Sequence, residues 1–563
     1  MKKILFIIFV LVFLYLLQNF ILHNNKKQSV TFYENGAVVT AHPEATQVGL
    51  DVLKAGGNAF DAAIAVQFSL SVVYPVAGNI GGGGFMIART KEGDVYALDF
   101  REKAPLKSNR NMYLDSNSNV ISGLSTFGIL SVGVPGTVDG MVKLHERLGS
   151  LPFDKLVGPS VNLAKNGFLI TKKQAARLNY YRKHFLKINS ENKYFMKDNW
   201  IEGDTLFQLD LSNTLELIKK NGRSGFYDGI VADKIVQTSK NLGGLLSYQD
   251  LNEYNSVWRE PVSGNYKGYV FHSMPPPSSG GVALYQLLNS LEHFDLDNID
   301  NNDFKYIHLL SEIEKRVYAD RSEFLGDIDY YNVPLDNLLD SSYIKSRIKD
   351  IDFSSVTNSK DINPGVFNDS ESEETTHFSI IDRWGNCASV TTTLNTSYGS
   401  KVFVEESGFL LNNEMDDFSI KPGYPNTYGL IGSEANSIEG GKRMLSSMTP
   451  TIIEYNGEPF LVIGTPGGST IITSVFQNIL NVIDFNLPIQ KSVDNYRFHH
   501  QWKPDTIFVE KGLLNDTILR DLNSLGHTVL ERSSIGQVNA IMIIDNKITC
   551  GADRRGDNKA LGY

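Results

Sequence analysis

Thr375 and Thr376 follow a stretch rich in Ser, Asn, Asp and Glu that fills residues 354 to 374, and they open a segment that alternates as a strand from Phe378 to Asp382. A threonine hydroxyl holds its proton at neutral pH and becomes a nucleophile only when a base sits beside it. The α-amine of the same residue supplies that base once the threonine is a chain terminus. A free α-amine has a pKa of about 7.7–8.0, so a useful fraction is unprotonated near neutral pH. The arrangement requires the peptide bond before the threonine to be cut, and an exposed acidic segment ending at a strand start suits such a cut. On these residues alone, a strand start without chemistry is the competing reading.

Other chemistry-bearing residues read more plainly. Gly81-Gly82-Gly83-Gly84 resembles a phosphate cradle only in its glycines, because no Gly-Lys-Ser/Thr follows and no strand–loop–helix pattern surrounds it. Close backbone packing explains it better. His499 and His500 are adjacent, so on a strand they point to opposite faces, and no metal-ligand spacing accompanies them. Cys387 reads as a small core residue. Asn395-Thr396-Ser397 matches a glycosylation acceptor but falls inside the site described below, and is discounted.

The elements that must position these residues follow from periodicity. Pro43 to Ala55 reads as a helix stopped by Gly56-Gly57, and Asn58 caps a second, buried helix from Ala59 to Val73. Phe85 to Ala88 reads as an inner strand. Residues 105 to 350 alternate helix-like stretches with loops, interrupted by the turn Pro275-Pro276-Pro277-Ser278-Ser279-Gly280-Gly281. Residues 354 to 374 read as an exposed linker. Beyond it, Phe378–Asp382, a turn at Arg383–Asn386 and Cys387–Leu394 form a hairpin. Phe460 to Gly464 is a short strand that opens onto Pro466-Gly467-Gly468-Ser469 and a helix-like run from Ile471 to Val482.

The chain has 563 residues, 42% of them hydrophobic and 21% charged, with a net charge of −10. These values describe a large globular protein, and its acidity argues against a nucleic-acid footprint. Two cysteines, Cys387 and Cys550, allow one bridge at most. Lys2 and Lys3 precede an apolar run from Ile4 to Leu17 that continues to Leu22. Residues 1–27 are therefore expected to be a signal peptide or an uncleaved membrane anchor through residues 4–22. Either way the body is expected to be exported, to a periplasmic or extracellular space.

Several motifs in order carry a family resemblance. Thr375-Thr376-His377-Phe378-Ser379, Gly385-Asn386 and Thr391-Thr392-Thr393-Leu394-Asn395 resemble the nucleophile segment of the γ-glutamyltransferases. Asp99-Phe100-Arg101-Glu102, the segment Leu411 to Phe418, Leu445 to Pro450, Gly464 to Ser469 and Phe498 to Trp502 match in register, as do Ala552-Asp553 and the closing Gly562-Tyr563. The resemblance runs from about residue 30 to the end. Only Cys387 and Ala388, in the strand behind the nucleophile, depart from the pattern.

That family is a group of N-terminal-nucleophile hydrolases, and the resemblance implies an α/β, four-layer αββα fold. It implies self-cleavage at Glu374-Thr375, leaving a large chain, residues 28–374, and a small catalytic chain, residues 375–563. Thr375 would be the nucleophile, oriented by Thr393, and the backbone N–H groups of Gly467 and Gly468 would form the oxyanion hole. Arg101, with Ser446 and Ser447, would hold the substrate α-carboxylate. Asn395, Glu414 and Asp417 would hold its α-ammonium, and Tyr428 would sit on a lid between Lys421 and Asn436. Substrates would be glutathione and other γ-glutamyl compounds, with water, amino acids or peptides as acceptors and no metal or organic cofactor. The rival readings are a glutaryl-type acylase of the same fold and an unprocessed binding protein.

Overall fold

Pro43 stands at the first turn of helix α1 (Pro43–Lys54), where its missing N–H costs nothing, and the His42 ring accepts the N–H of Glu44 as an N-cap. Gly56, at φ +95°, turns the chain out of this helix. Asn58 then caps α2 (Ala59–Val73) in a reciprocal box with Asp61. Every residue of α2 is buried, as expected of a helix that is apolar on all sides.

The computed structural model describes residues 30–189, 195–296, 299–365, 376–421, 423–431 and 434–563. Thr375, Glu374 and the N-terminal apolar segment lie outside the described residues. The chain divides into two units, residues 1–32 and 33–563. Everything below concerns the second. Among the described residues no helix is long and apolar enough to cross a membrane.

Two sheets form its centre. Their strands, in chain order, are β1 (Ala37–Thr40), β2 (Gly83–Arg89), β3 (Val95–Asp99), β4 (Val257–Arg259), β5 (Val262–Tyr266), β6 (Tyr269–Ser273), β7 (Thr376–Ile381), β8 (Cys387–Thr393), β9 (Thr451–Tyr455), β10 (Glu458–Gly464), β11 (Asn539–Ile544), β12 (Lys547–Ala552) and β13 (Lys559–Gly562). The first sheet runs β13-β1-β7-β8-β2-β3-β4 and the second β12-β11-β10-β9-β6-β5. Further helices used below are α3 (Lys172–Ile188), α4 (Gly280–Leu291), α5 (Phe304–Phe324) and α6 (Thr470–Ile483).

Period-two alternation sorts the strand residues into layers. Ala37, Val39, Phe85, Ile87 and Ala97 of the first sheet meet Ile452, Val462 and Ile541 of the second in one apolar cluster between the sheets. Their neighbours Val38, Met86, Ala88 and Leu98 face outward onto α1 and α2. Ile453, Leu461, Ile463 and Ala540 face outward onto α4, α5 and α6. The order of layers is thus helix, sheet, sheet, helix, the αββα architecture of N-terminal-nucleophile hydrolases.

Two sequence expectations need correction. Among the described residues the middle region contributes three strands, β4 to β6, to the central sheets, besides the short pair Phe168–Leu169 and Thr205–Leu206, where helices and loops were expected; Lys267 and Gly268, at φ +49° and +86°, make the tight hairpin turn between β5 and β6. The first part of the expected linker is not a free arm. The Trp502 Nε1–H donates to the carbonyls of Ser359 and Ile362 at 2.9 and 3.1 Å, and Ile362 is buried in the core beneath the second helical layer. Cys387 and Cys550 are both free thiols.

Candidate active site

Strand β8 delivers Thr393 at its end, in register with Gly83 of β2. The Thr393 hydroxyl oxygen accepts the Asn395 N–H at 2.7 Å and faces Glu414 Oε1 at 3.5 Å. Asn395 adopts φ +69°, a left-handed turn that Asn tolerates, and its amide donates to the Asn413 carbonyl at 3.0 Å. Strand β7 begins at Thr376, which pairs with Thr392 near the end of β8.

Arg101 leaves β3 just past Asp99 and is fully buried. Its Nη1 pairs with Glu414 and its Nη2 with Asp417. The remaining donors reach the carbonyls of Met444 at 3.2 Å and Leu445 at 3.0 Å, the residues that lead into Ser446 and Ser447. Glu102, which the sequence reading left without a role, stands 3.7 Å from Arg101 Nη1 and is wholly buried. The signal for it was present: it follows Arg101 in the same motif.

One arginine therefore faces three buried carboxyl groups. Burial works against the Arg101 charge, but Glu414, Asp417 and Glu102 outweigh it and hold its pKa above the usual value. Burial pushes the Glu414 carboxyl well up, opposed by Arg101 and reinforced by Glu102 and Asp417. Glu102 is raised by burial likewise. With one guanidinium among three carboxyl groups, burial favours the protonated form of Glu414 and Glu102, and a second cation is the group that would displace those protons. Arg101 is engaged with the two acids that were expected to hold an ammonium, so the guanidinium is shared between roles.

Ser446 and Ser447 are buried, and Ser279 ties them to the start of α4. Its N–H and hydroxyl both donate to the Ser446 carbonyl, the hydroxyl at 2.7 Å. Arg321 of α5 donates to the Ser279 hydroxyl at 2.7 Å and supports it from behind. Tyr428 brings its hydroxyl to Asn395 Oδ1 at 3.1 Å, and its carbonyl accepts from Gln501 Nε2 at 3.2 Å. Gln501 Oε1 in turn accepts from the Ser469 hydroxyl at 2.7 Å.

Gly467 and Gly468 join β10 to α6 at φ +146° and +63°. A Cβ on Gly467 would lie 2.6 Å from Thr470 Oγ1, so only glycine fits. Among the described residues neither N–H makes a hydrogen bond, and both stand at the positive end of α6. Two such donors in sequence form a ready receptor for a developing oxyanion.

The histidines behave as structural groups. His499 contacts the Thr473 hydroxyl at 2.9 Å and Gln501 at 3.0 Å, whereas His500 turns to Asp505 and the Trp502 N–H. His308, Glu312 and His527 bring ligand atoms within 4.8 Å of one another. There, however, Glu312 already pairs with Lys315 and Arg316, and the two imidazoles bond to each other at 2.7 Å. Lys315 would repel a cation at that place.

The site thus gathers Arg101, Thr393, Asn395, Glu414, Asp417, Ser446, Ser447, Tyr428, Gly467 and Gly468 near the end of β8. A family model described as Gamma-glutamyltranspeptidase matches residues 45–563. The chain is 44% identical over 535 residues to a glutathione hydrolase proenzyme of Escherichia coli, covering 94% of this chain and 92% of that protein. It is 37% identical over 529 residues to one from Bacillus subtilis, covering 91% and 88%. Among solved structures, gamma-glutamyltranspeptidase of Helicobacter pylori is 45% identical with a TM-score of 0.57, over 60% of this chain and 97% of that one. Cephalosporin acylase from Bacillus halodurans is 25% identical with a TM-score of 0.84, over 95% and 97%. With its layered fold, its site and a family match across nearly all of its length, this chain belongs to the gamma-glutamyltranspeptidase family.

Proposed function

We propose that the chain cuts itself between Glu374 and Thr375 and then works as a γ-glutamyltransferase and glutathione hydrolase. The Thr375 hydroxyl attacks the γ-amide carbonyl carbon of a γ-glutamyl compound, and its proton passes to the Thr375 α-amine. The carbonyl oxygen becomes an oxyanion held by the N–H groups of Gly467 and Gly468. Collapse breaks the C–N bond, the departing amine takes the proton, and a γ-glutamyl ester stays on Thr375. Water, an amino acid or a peptide then attacks that ester and frees the threonine. Thr393, bonded to the Asn395 backbone, orients the hydroxyl.

The observation that carries this reading is the set of three carboxyl groups around one arginine. A glutamyl group presents both an α-carboxylate and an α-ammonium. Arg101 with Ser446 and Ser447 takes the first, and Asn395, Glu414 and Asp417 take the second. A glutaryl group lacks the ammonium and would leave these carboxyl groups without the cation they are placed to pair with, which disfavours the acylase alternative. Proenzyme relatives at high identity support the processing step. The export of the body, by a signal or anchor in residues 1–27, rests on the Lys2-Lys3 flank and the apolar run after it, and cell fractionation tests it.

The deciding experiment measures the intact mass of residues 28–563 beside the Thr375→Ala variant, then assays γ-glutamyl-4-nitroanilide against glutaryl-4-nitroanilide. A fragment beginning at Thr375 in the wild type alone, with turnover of the γ-glutamyl anilide, is the expected result. A chain that stays whole, or one that prefers the glutaryl anilide, would overturn it.

A further inference from the structure

A cavity of about 180 Å³ opens beside the site, sharing Asn395 and Gly467 with it. None of Arg101, Glu414, Asp417, Ser446 and Ser447 lines it, so it is distinct from the buried glutamyl pocket. Its wall holds two arginines and no acidic residue: Arg177 from α3 and Arg532 from the end of the strand Val529–Arg532. Arg177 Nη1 donates to the Tyr74 hydroxyl at 3.2 Å. Among the described residues neither guanidinium forms an ion pair. Asp557, which faces Arg177 at longer range, is held by the Thr171 hydroxyl at 2.7 Å and stands 4.0 Å from Lys173. Thr470, first residue of α6, also lines the cavity, so a helix N-terminus adds to its positive potential.

Two guanidinium groups without a carboxylate partner, gathered at one opening next to the oxyanion donors, describe a receptor for an anion that reaches the reacting carbonyl. The acid cluster at Arg101 serves the glutamyl end. The other end of the substrate is the amine half, and it must leave and arrive through space that touches Gly467 without entering the glutamyl pocket. By microscopic reversibility, the acceptor amine attacks along the path by which the leaving amine departs.

We propose that Arg177 and Arg532 bind the carboxylate of the amine half, first that of the departing peptide and then that of the incoming amino acid or peptide. This rests on the γ-glutamyltransferase reading and adds the residues that select the second substrate. Arg532 is solvent-exposed and Arg177 half-buried, which suits a subsite that fills and empties in every cycle. A forked donor matches a carboxylate, and each pair contributes about tenfold or more in discrimination.

The test compares two chromogenic substrates that differ by one group, γ-glutamyl-3-carboxy-4-nitroanilide and γ-glutamyl-4-nitroanilide. Processed wild-type protein is set beside Arg177→Gln, Arg532→Gln, Arg532→Glu and the double glutamine variant. The expected result is that the ratio of kcat/KM for the carboxylated over the plain anilide falls about tenfold in each single variant. It falls further in Arg532→Glu and in the double variant, and Arg177→Lys restores part of it. With glycylglycine and glycylglycinamide as acceptors, the preference for the free carboxylate shrinks in step. A ratio within twofold of wild type in all variants, or an equal loss on both anilides, overturns the assignment. Wild-type protein that turns over neither anilide sinks the γ-glutamyl reading itself, an outcome told apart because it precedes any substitution.

Discussion

The Tyr428 hydroxyl donates to Asn395 Oδ1 across 3.1 Å and so links its loop to the residue whose N–H bonds Thr393. A second tie, from Gln501 to the Tyr428 carbonyl, anchors the same residue by its backbone. The first depends on a side chain and can be released alone.

Tyr428→Phe removes the latch and keeps the ring. A net neutral hydrogen bond contributes about 1 kcal/mol, or roughly fivefold. The expected outcome is a KM for γ-glutamyl-4-nitroanilide raised about fivefold with kcat changed less. Hydrogen exchange should show faster labelling across residues 423–431. Unchanged KM and unchanged exchange would mean the loop is held by its other ties, among them Gln501 to the Tyr428 carbonyl, the Thr427 N–H to Asp416 and the buried Leu430.

Gly467→Ala places a methyl group against Thr470 and forces a residue with a side chain into φ +146°. The N–H of residue 467 then swings away from the acyl carbonyl. Loss of one oxyanion donor costs about 10²–10³ in rate. Turnover should fall by that factor while the melting temperature shifts by only a few degrees. Full activity in this variant would place the oxyanion elsewhere.

Burial holds the His499 ring neutral, with its pKa lowered to about 3. The unfolded chain protonates the same residue near pH 6.5, so between about 6.5 and 3 the unfolded state binds one more proton. The stability that the neutral ring represents is present above pH 6.5 and is lost as pH falls toward about 3. His499→Gln can keep the bond to Gln501 and cannot take up that proton. Unfolding free energies from urea titrations between pH 7 and 4.5 should fall less steeply in the variant, by about 1.4 kcal/mol per pH unit below about pH 6.5. Parallel slopes would show that His499 is already charged or exposed.

Trp502 fastens Ser359 and Ile362, the second of them twelve residues before Glu374 at the proposed cleavage junction. Trp502→Phe removes both hydrogen bonds and leaves most of the packing. Stability should fall by about 1–2 kcal/mol. Self-cutting, followed by mass over time, should slow several-fold because the segment entering the junction is less well aimed. A variant that processes at the wild-type rate would confine the role of this anchor to stability.

Much of this molecule was readable from one sequence. Helices α1 and α2, the β7–β8 hairpin and the β10–α6 junction carry strong local signals: caps, glycine stops, β-branched runs and a period of two or 3.6. The strands β4 to β6 were missed because Val262-Ser263-Gly264-Asn265-Tyr266 mixes polar residues and a glycine into a sheet edge, and only the Lys267-Gly268 turn betrayed the hairpin. The residue types of the site were legible, but not their partners. Arg101 meets Glu414 across a separation of 313 residues, and no periodicity encodes that contact. The docked stretch 354–365 was read as an exposed linker because its composition is polar, while its anchoring comes chiefly from backbone groups of Val356, Thr357, Ser359 and Ile362 and from the buried Ile362 side chain.

The order of strands has a consequence for what a cut at residue 374 does to the molecule. β13 and β7 flank β1, β8 borders β2, and β9 borders β6, so segments from before and after the junction are zipped together by four separate ladders. Scission would double the number of polypeptides without creating a separable subunit. The two chains would stay tightly associated, because parting them means tearing both sheets apart. Mixing halves made independently would fail to rebuild the protein, since neither half holds a complete sheet on which the other could dock. The break would free a new terminus inside a fabric that was woven as a single thread.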